Sequence, residues 1–340
     1  MKKFKVIPGV PGVLLLLLAF CTGVIPDQVI AGVVSAGQSL QDANKSARAK
    51  EKKPKAIKPG SAAAAPTYSN VSYGPHPRNR LDVWQAESDR PTPVIIFFHG
   101  GSFKAGDKSQ VLKRPFFEDC LKAGISIVSA NYRFSTDAPY PAPMLDGARA
   151  VQFVRHKAGQ WNIDPARVSL SGGSAGGTMA LWIAMHNEMA DPNSNDPVLR
   201  NSTRVCCLVG YGAPASIEPE YIEQHAGSKN LGGGIAQLFG VKKPEELTQA
   251  DIRKLIRQAS PINHVTRDDP PLWLLYHGKM KDVPFDENAR QNVWIHHVCL
   301  GMPLKKIYDE LGLECHIYDQ AGPPESGAEI EFLKKILFNF

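Results

Sequence analysis

Arg167-Val-Ser-Leu-Ser-Gly-Gly-Ser-Ala-Gly-Gly-Thr178 is the stretch on which the reading of the fold turns. Val168 to Leu170 reads as a short buried strand. It runs into the turn Gly172-x-Ser174-x-Gly176, and the apolar run from Met179 to Met189 reads as the helix that follows. Strand, sharp turn and helix are the context of a nucleophile elbow. The turn forces its serine into a strained backbone conformation, and flanking glycines let neighbouring chain pass without a Cβ clash. Ser174 then stands at a helix N-terminus, where unpaired N–H groups and the helix dipole favour a developing oxyanion.

Around this stretch the chain alternates between strands and helices. Val94 to Phe98 is a continuous run of β-formers, the pattern of a strand buried on both faces. Short strands are expected at Val71 to Tyr73, Leu81 to Trp84, Ile125 to Ala130, Val205 to Val209, Leu272 to Tyr276 and Cys315 to Tyr318. Helices are expected over Pro115 to Ala123, along the Leu145, Ala148, Val151 and Val154 face, along Leu304 to Leu311, and along Ile330 to Leu337. The alternation predicts an α/β fold with a mostly parallel, twisted, doubly wound sheet. Ala215 to Gln258 breaks the rhythm, with Gly232-Gly-Gly234 and one modest helical pattern at Ile252 to Ile256. It reads as a lid-like insertion above the sheet.

The N-terminus reads as a secretory leader. Lys2, Lys3 and Lys5 precede the apolar run Val13 to Phe20, and Val34-Ser-Ala36 is a small-residue cleavage site. Residues 1–36 are therefore expected to be a signal peptide, 37–67 a Lys/Ala/Pro-rich disordered linker, and 68–340 the folded domain. Export to the periplasm or medium follows, with no stable membrane insertion once the leader is removed.

The net charge is +6, yet residues 1–58 hold ten Lys/Arg against three Asp/Glu. The remaining 282 residues are left with 29 basic and 30 acidic side chains, so nothing in the charge balance of the domain points to nucleic acid. Cys120, Cys206, Cys207, Cys299 and Cys315 remain after leader removal; their odd number leaves a free thiol, and most sit in apolar runs. No spacing supports a metal, and no cofactor is expected.

His99-Gly-Gly-Ser-Phe103 closes the strand at Val94 to Phe98, with the elbow 73 residues further on. The N–H groups of Gly100, Gly101 and Ala175 are the expected oxyanion donors, because glycine backbone can approach a substrate closely.

With these motifs the chain resembles the lipase/esterase branch of the α/β-hydrolases, near hormone-sensitive-lipase-like and acetylxylan- or feruloyl-esterase-like enzymes. The resemblance covers residues 68–340. It rests on Asp82-Val-Trp84, His99-Gly-Gly-Ser-Phe103, Asn131-Tyr-Arg133 with Tyr140-Pro141, Gly172-Gly-Ser-Ala-Gly-Gly177, Ser260-Pro261 and Asp269-Pro-Pro271. It implies an α/β-hydrolase fold and acyl-ester hydrolysis by Ser174, on small-molecule or glycan-linked acyl esters. His99 is implied to shape its loop and takes no proton-transfer role.

Two departures from that pattern concern the rest of the machinery. The acid loop is shortened to His277-Gly-Lys-Met-Lys-Asp282-Val-Pro284, which makes Asp282 the expected acid and Asp286 the fallback. No histidine follows Tyr318, where the base is implied to be. A serine without a general base is a poor nucleophile, and a triad is defined by geometry and not by chain order. His296 and His297 are therefore the candidate bases, with His297 slightly preferred. His277 and His316, at strand ends, read as structural. A carboxylic ester hydrolase is the leading expectation. A catalytically inactive binding protein on the same fold is its rival. A serine peptidase is weaker, since no specificity domain is visible.

Overall fold

The computed structural model of the protein describes residues 65–323 and 325–338. The expected leader, and the linker up to residue 64, lie outside the described residues.

An eight-stranded sheet organises the domain. Its strands are β1 (Tyr68–Ser72), β2 (Arg80–Trp84), β3 (Thr92–Phe98), β4 (Ser126–Ala130), β5 (Ile163–Gly173), β6 (Leu208–Tyr211), β7 (Leu272–Leu275) and β8 (Cys315–Tyr318). They lie in the order β1-β2-β4-β3-β5-β6-β7-β8. The first two pairings are antiparallel and every later one is parallel. This is the α/β-hydrolase arrangement, and it puts β5, which carries the elbow, in the interior of the sheet.

Side chains alternate across the strands, so the sheet has two apolar faces and both need covering. Val94, Ile96, Phe98, Val168 and Leu170 face a core shared with α2 (Ala142–Lys157) and α3 (Ala175–Met185). Ile95, Phe97, Val209 and Trp273 face a second core built on α1 (Phe116–Lys122) and α9 (Ala328–Phe338). All eleven residues of α3 are buried, which accounts for its lack of a polar stripe.

Strand β6 begins three residues later than the apolar run suggested and reaches Tyr211, because Gly210 and Tyr211 continue the ladder beside Gly172 and Gly173. A glycine carries no apolar signal, so the run seemed to stop early. The region from Ala215 to Gln258 differs more. It holds α4 (Pro219–Ala226), α5 (Gly232–Leu238) and α6 (Ala250–Ala259), where one helical pattern was expected. The first two span only eight and seven residues, too few turns for a periodicity to stand out. Burial of Ile222, Ile235 and Leu238 holds them in place against weak local propensity.

Candidate active site

Steric demand fixes the elbow. Ser174 has φ 53° and ψ −125°, a conformation that costs a non-glycine residue about 1–3 kcal/mol unless its surroundings hold it. A Cβ on Gly172 would come 2.4 Å from the backbone of Gly176, and one on Gly176 would come 2.1 Å from the Phe98 carbonyl oxygen. Only glycine lets β5 turn this tightly into α3. The Ser174 N–H donates to the Tyr211 carbonyl at 2.9 Å, tying the elbow to the end of β6.

His296 meets the serine. Its Nε2 lies 2.8 Å from Ser174 Oγ. The histidine arrives from the segment after β7, through α7 (Gln291–Trp294), rather than from beyond β8. That segment is fastened to the end of β7 by two main-chain bonds at 2.9 Å: the His277 N–H donates to the His296 carbonyl, and the Val298 N–H donates to the His277 carbonyl. Room for the imidazole comes from Gly212 at the end of β6, where a Cβ would sit 3.0 Å from that of His296. Burial depresses the pKa of His296, and the neighbouring His277 ring, 5.9 Å away between centroids, adds to the effect. The imidazole is thereby kept neutral, the form a base requires.

His297 does not reach the serine. Its ring packs over Gly278 instead, where a Cβ would stand 1.9 Å from the His297 Cδ2. It is 3% exposed, and its Nδ1 accepts the Cys299 N–H at 3.2 Å. Asp282, the expected acid, faces this second histidine: its Oδ2 is 3.8 Å from His297 Nε2, too long for a hydrogen bond, and accepts the Lys279 N–H at 2.8 Å. Asp286 is exposed and caps the Asn288 N–H. Among the described residues no carboxylate pairs with His296. The expected Asp282–His297 half of a triad is thus present as a pair, but displaced by one residue from the imidazole that touches Ser174.

The loop after β3 approaches the elbow from the other side. A Cβ on Gly100 would lie 3.0 Å from the Gly173 carbonyl oxygen and 3.4 Å from the Ser174 Cβ. The Gly100 N–H, however, donates to the side-chain oxygen of Gln110 at 3.3 Å. The N–H groups of Gly101 and Ser102 make no hydrogen bond among the described residues, and Ala175 opens α3, where first-turn N–H groups lack partners within the helix. Gly101, Ser102 and Ala175 are therefore the free donors at this end. Gln110 was not legible in the sequence: it is a polar residue outside any motif.

His99 holds the loop. Its Nδ1 donates to the Gly100 carbonyl at 2.8 Å, its Nε2 accepts from Arg78 Nη2 at 3.3 Å, and its ring stacks on Tyr132. The second of these bonds needs the neutral imidazole, since a protonated Nε2 cannot accept. Burial, helped by the charge on Arg78, lowers its pKa to about 4.

Beside Ser174 opens a narrow cavity of about 40 Å³, lined mainly by apolar groups that include Phe103, Ile217, Ile235, Leu238 and Ile295. Three of these, Ile217, Ile235 and Leu238, come from the region after Ala215, so that segment supplies part of the cleft wall. Gly234 of the triple glycine also lines it, and the glycines open α5 instead of cradling a phosphate. Among the described residues no cluster of His, Cys, Asp and Glu could hold a metal ion, the five described cysteines are free, and no helix is long and apolar enough to cross a membrane.

Several known proteins resemble this chain. The probable carboxylic ester hydrolase LipM of Mycobacterium tuberculosis is 26% identical over 74% of this chain and 56% of its own length. The esterase LipQ of the same organism is 27% identical over 64% of this chain and 49% of its own. The chain spans about half the length of the curated relatives it matches. Among solved structures, a truncated carbohydrate esterase from gut microbiota superposes with a TM-score of 0.62 at 21% identity, covering 80% of this chain and 96% of that one. An acetyl ester-xyloside bifunctional hydrolase from Caldicellulosiruptor lactoaceticus gives 0.55 at 23% identity, covering 76% and 85%. These likenesses are to the fold. Residues 81–291, more than half of the sequence, match BD-FAE. The chain belongs to the BD-FAE family, on the α/β-hydrolase fold.

Proposed function

We propose that the protein is a serine ester hydrolase in which Ser174 is the nucleophile and His296 the general base. The observation that carries this reading is the 2.8 Å contact between His296 Nε2 and Ser174 Oγ. In the forward step His296 accepts the hydroxyl proton as Oγ attacks the ester carbonyl. The negative charge on the tetrahedral oxygen is met by the N–H groups of Gly101, Ser102 and Ala175. The imidazolium then passes its proton to the leaving alkoxide. Water repeats the sequence on the acyl-enzyme and restores the serine.

The catalytic unit is a dyad. A triad carboxylate stabilises the imidazolium and fixes its tautomer; here His296 lacks that partner, and the backbone clip through His277 supplies its orientation instead. The apolar cavity of about 40 Å³ supports a short acyl group, since one water molecule needs roughly 10–15 Å³ on the same measure. An acyl ester carried on a carbohydrate, in keeping with the name carbohydrate esterase given to the gut-microbiota structure, is the finer form of the proposal. The basic, apolar and small-residue order of residues 1–36 supports export.

The test is turnover of a short-chain ester such as phenyl acetate. Ser174→Ala is expected to lose it, and a protein with no turnover that still binds a glycan would favour the inactive binding protein. Retained turnover in Ser174→Ala would mean that another residue is the nucleophile.

A further inference from the structure

Among the described residues Arg114 is a cation without a counter-ion, set against the elbow. It follows the turn Lys108–Lys113 that leads from the loop after β3 to α1. It is half-buried, and among the described residues its guanidinium makes no hydrogen bond or ion pair. Two aromatic faces hold it, Phe97 at 5.3 Å and Tyr211 at 5.5 Å from their centroids. Tyr211 is itself fixed by stacking on Phe116, and its buried hydroxyl lacks a hydrogen-bond partner. Burial lowers the Arg114 pKa, and no carboxylate acts on it.

Its position is set by Gly173, the residue before Ser174. A Cβ there would stand 2.5 Å from Arg114 Nη2 and 3.4 Å from its Cζ, so the guanidinium occupies the space that a side chain at 173 would take. The apolar cavity lies elsewhere: Phe103, Ile235 and Leu238 belong to the core on the α3 side of the sheet, while Phe97, Phe116 and Tyr211 pack on the α1 side. An ester whose acyl group fills that cavity has its alcohol portion outside it, and Arg114, packed against Gly173, is a cation beside the nucleophile and outside the cavity lining.

A guanidinium stacked on rings but free of acceptors presents its planar fork of donors to a carboxylate. A half-buried cation with no counter-ion also pays a desolvation penalty that an anionic ligand would offset. We infer that Arg114 binds a carboxylate on the alcohol portion of the substrate, so that the preferred esters carry an anionic leaving group. This rests on Ser174 being the nucleophile.

A matched pair of esters tests it: 4-acetoxybenzoate and its methyl ester, which differ in one charge. The ratio of kcat/KM for the acid over the methyl ester is expected to exceed one in the wild-type protein. It should fall at least tenfold in Arg114→Met, fall less in Arg114→Lys, and shrink with added salt. An equal ratio in wild type and Arg114→Met would overturn the proposal. Calorimetric binding of 4-hydroxybenzoate, which needs no turnover, is expected to weaken at least tenfold in Arg114→Met. If neither ester is hydrolysed but that binding and its loss are seen, the hydrolase reading fails and the anion site stands. If the methyl ester is hydrolysed and Arg114→Met binds 4-hydroxybenzoate as well as wild type, the reverse holds.

Discussion

The carboxylate of Asp282 lies 3.8 Å from the Nε2 of His297, the residue that follows the imidazole in contact with Ser174. The pair that would complete a triad is present, but it fastens a loop. Replacing a triad aspartate with its amide disturbs the histidine tautomer and costs roughly 10⁴ in kcat. Asp282→Asn is expected to lower kcat here by about tenfold or less, on the scale of a displaced loop contact. Steady-state kinetics on a short-chain ester reads the difference, and a loss of thousands would reinstate Asp282 as the acid.

Acyl length follows from the cavity. A narrow cavity of about 40 Å³ is expected to favour acetyl or propionyl over hexanoyl. For aryl esters, kcat/KM is expected to drop at least about tenfold from acetate to hexanoate, since overpacking of this size costs roughly 1–3 kcal/mol. Leu238→Ala removes part of the wall and is expected to move the optimum to longer chains. An unchanged profile in that variant would mean that acyl groups bind elsewhere.

The histidines set the pH dependence. Burial depresses the pKa of His296, so its base form persists to lower pH than an ordinary imidazole, and the acid limb of kcat/KM is expected below pH 6.5. His277→Gln removes a charge that opposes protonation of His296 and should move that limb upward. Stability carries the same sign. For His99, lowered from 6.5 to about 4, the unfolded chain binds the proton more readily, so stability is retained above pH 6.5 and lost as pH falls towards 4. The full loss from this group is about 3 kcal/mol. Urea melts at pH 7 and pH 4.5, compared between wild type and His99→Gln, measure it; an equal pH dependence would remove His99 as the source.

Arg78 provides a separate check on the oxyanion loop. It donates to the Tyr132 carbonyl at 2.9 Å and the Gly106 carbonyl at 3.2 Å, faces His99 at 3.3 Å, and stacks on Phe134. Arg78→Met leaves these carbonyls without that donor, and about 2–4 kcal/mol of stability is expected to go with it. Activity should fall through kcat if the Gly101 and Ser102 donors act on the transition state, as proposed. A rise in KM with kcat unchanged would place Arg78 outside this role.

How much of this was legible in the sequence depended on how local the constraint is. The elbow was readable because Gly172 and Gly176 answer a steric demand within five residues. The alternation of buried runs likewise marked the sheet and its hand-over from β5 to α3. The base was narrowed to His296 and His297 and no further, since the choice between neighbours is made by the path of the backbone. That path is set by hydrogen bonds to His277, about twenty residues earlier in the chain. The diversion of Asp282 follows from the same path. The bond from Gly100 to Gln110 was illegible for a similar reason: an N–H has no sequence signature of its own, and Gln110 meets this one from ten residues away.

The central claim is that Ser174 and His296 act together. A fluorophosphonate probe reacts with a serine only when its hydroxyl is activated and the oxyanion donors are in place. Peptide mass spectrometry is expected to find it on Ser174 in the wild-type protein. In His296→Ala the labelling rate should fall by about 10³-fold or more, while His297→Phe stays within about tenfold of wild type. Labelling that survives in His296→Ala and is lost in His297→Phe would contradict the account.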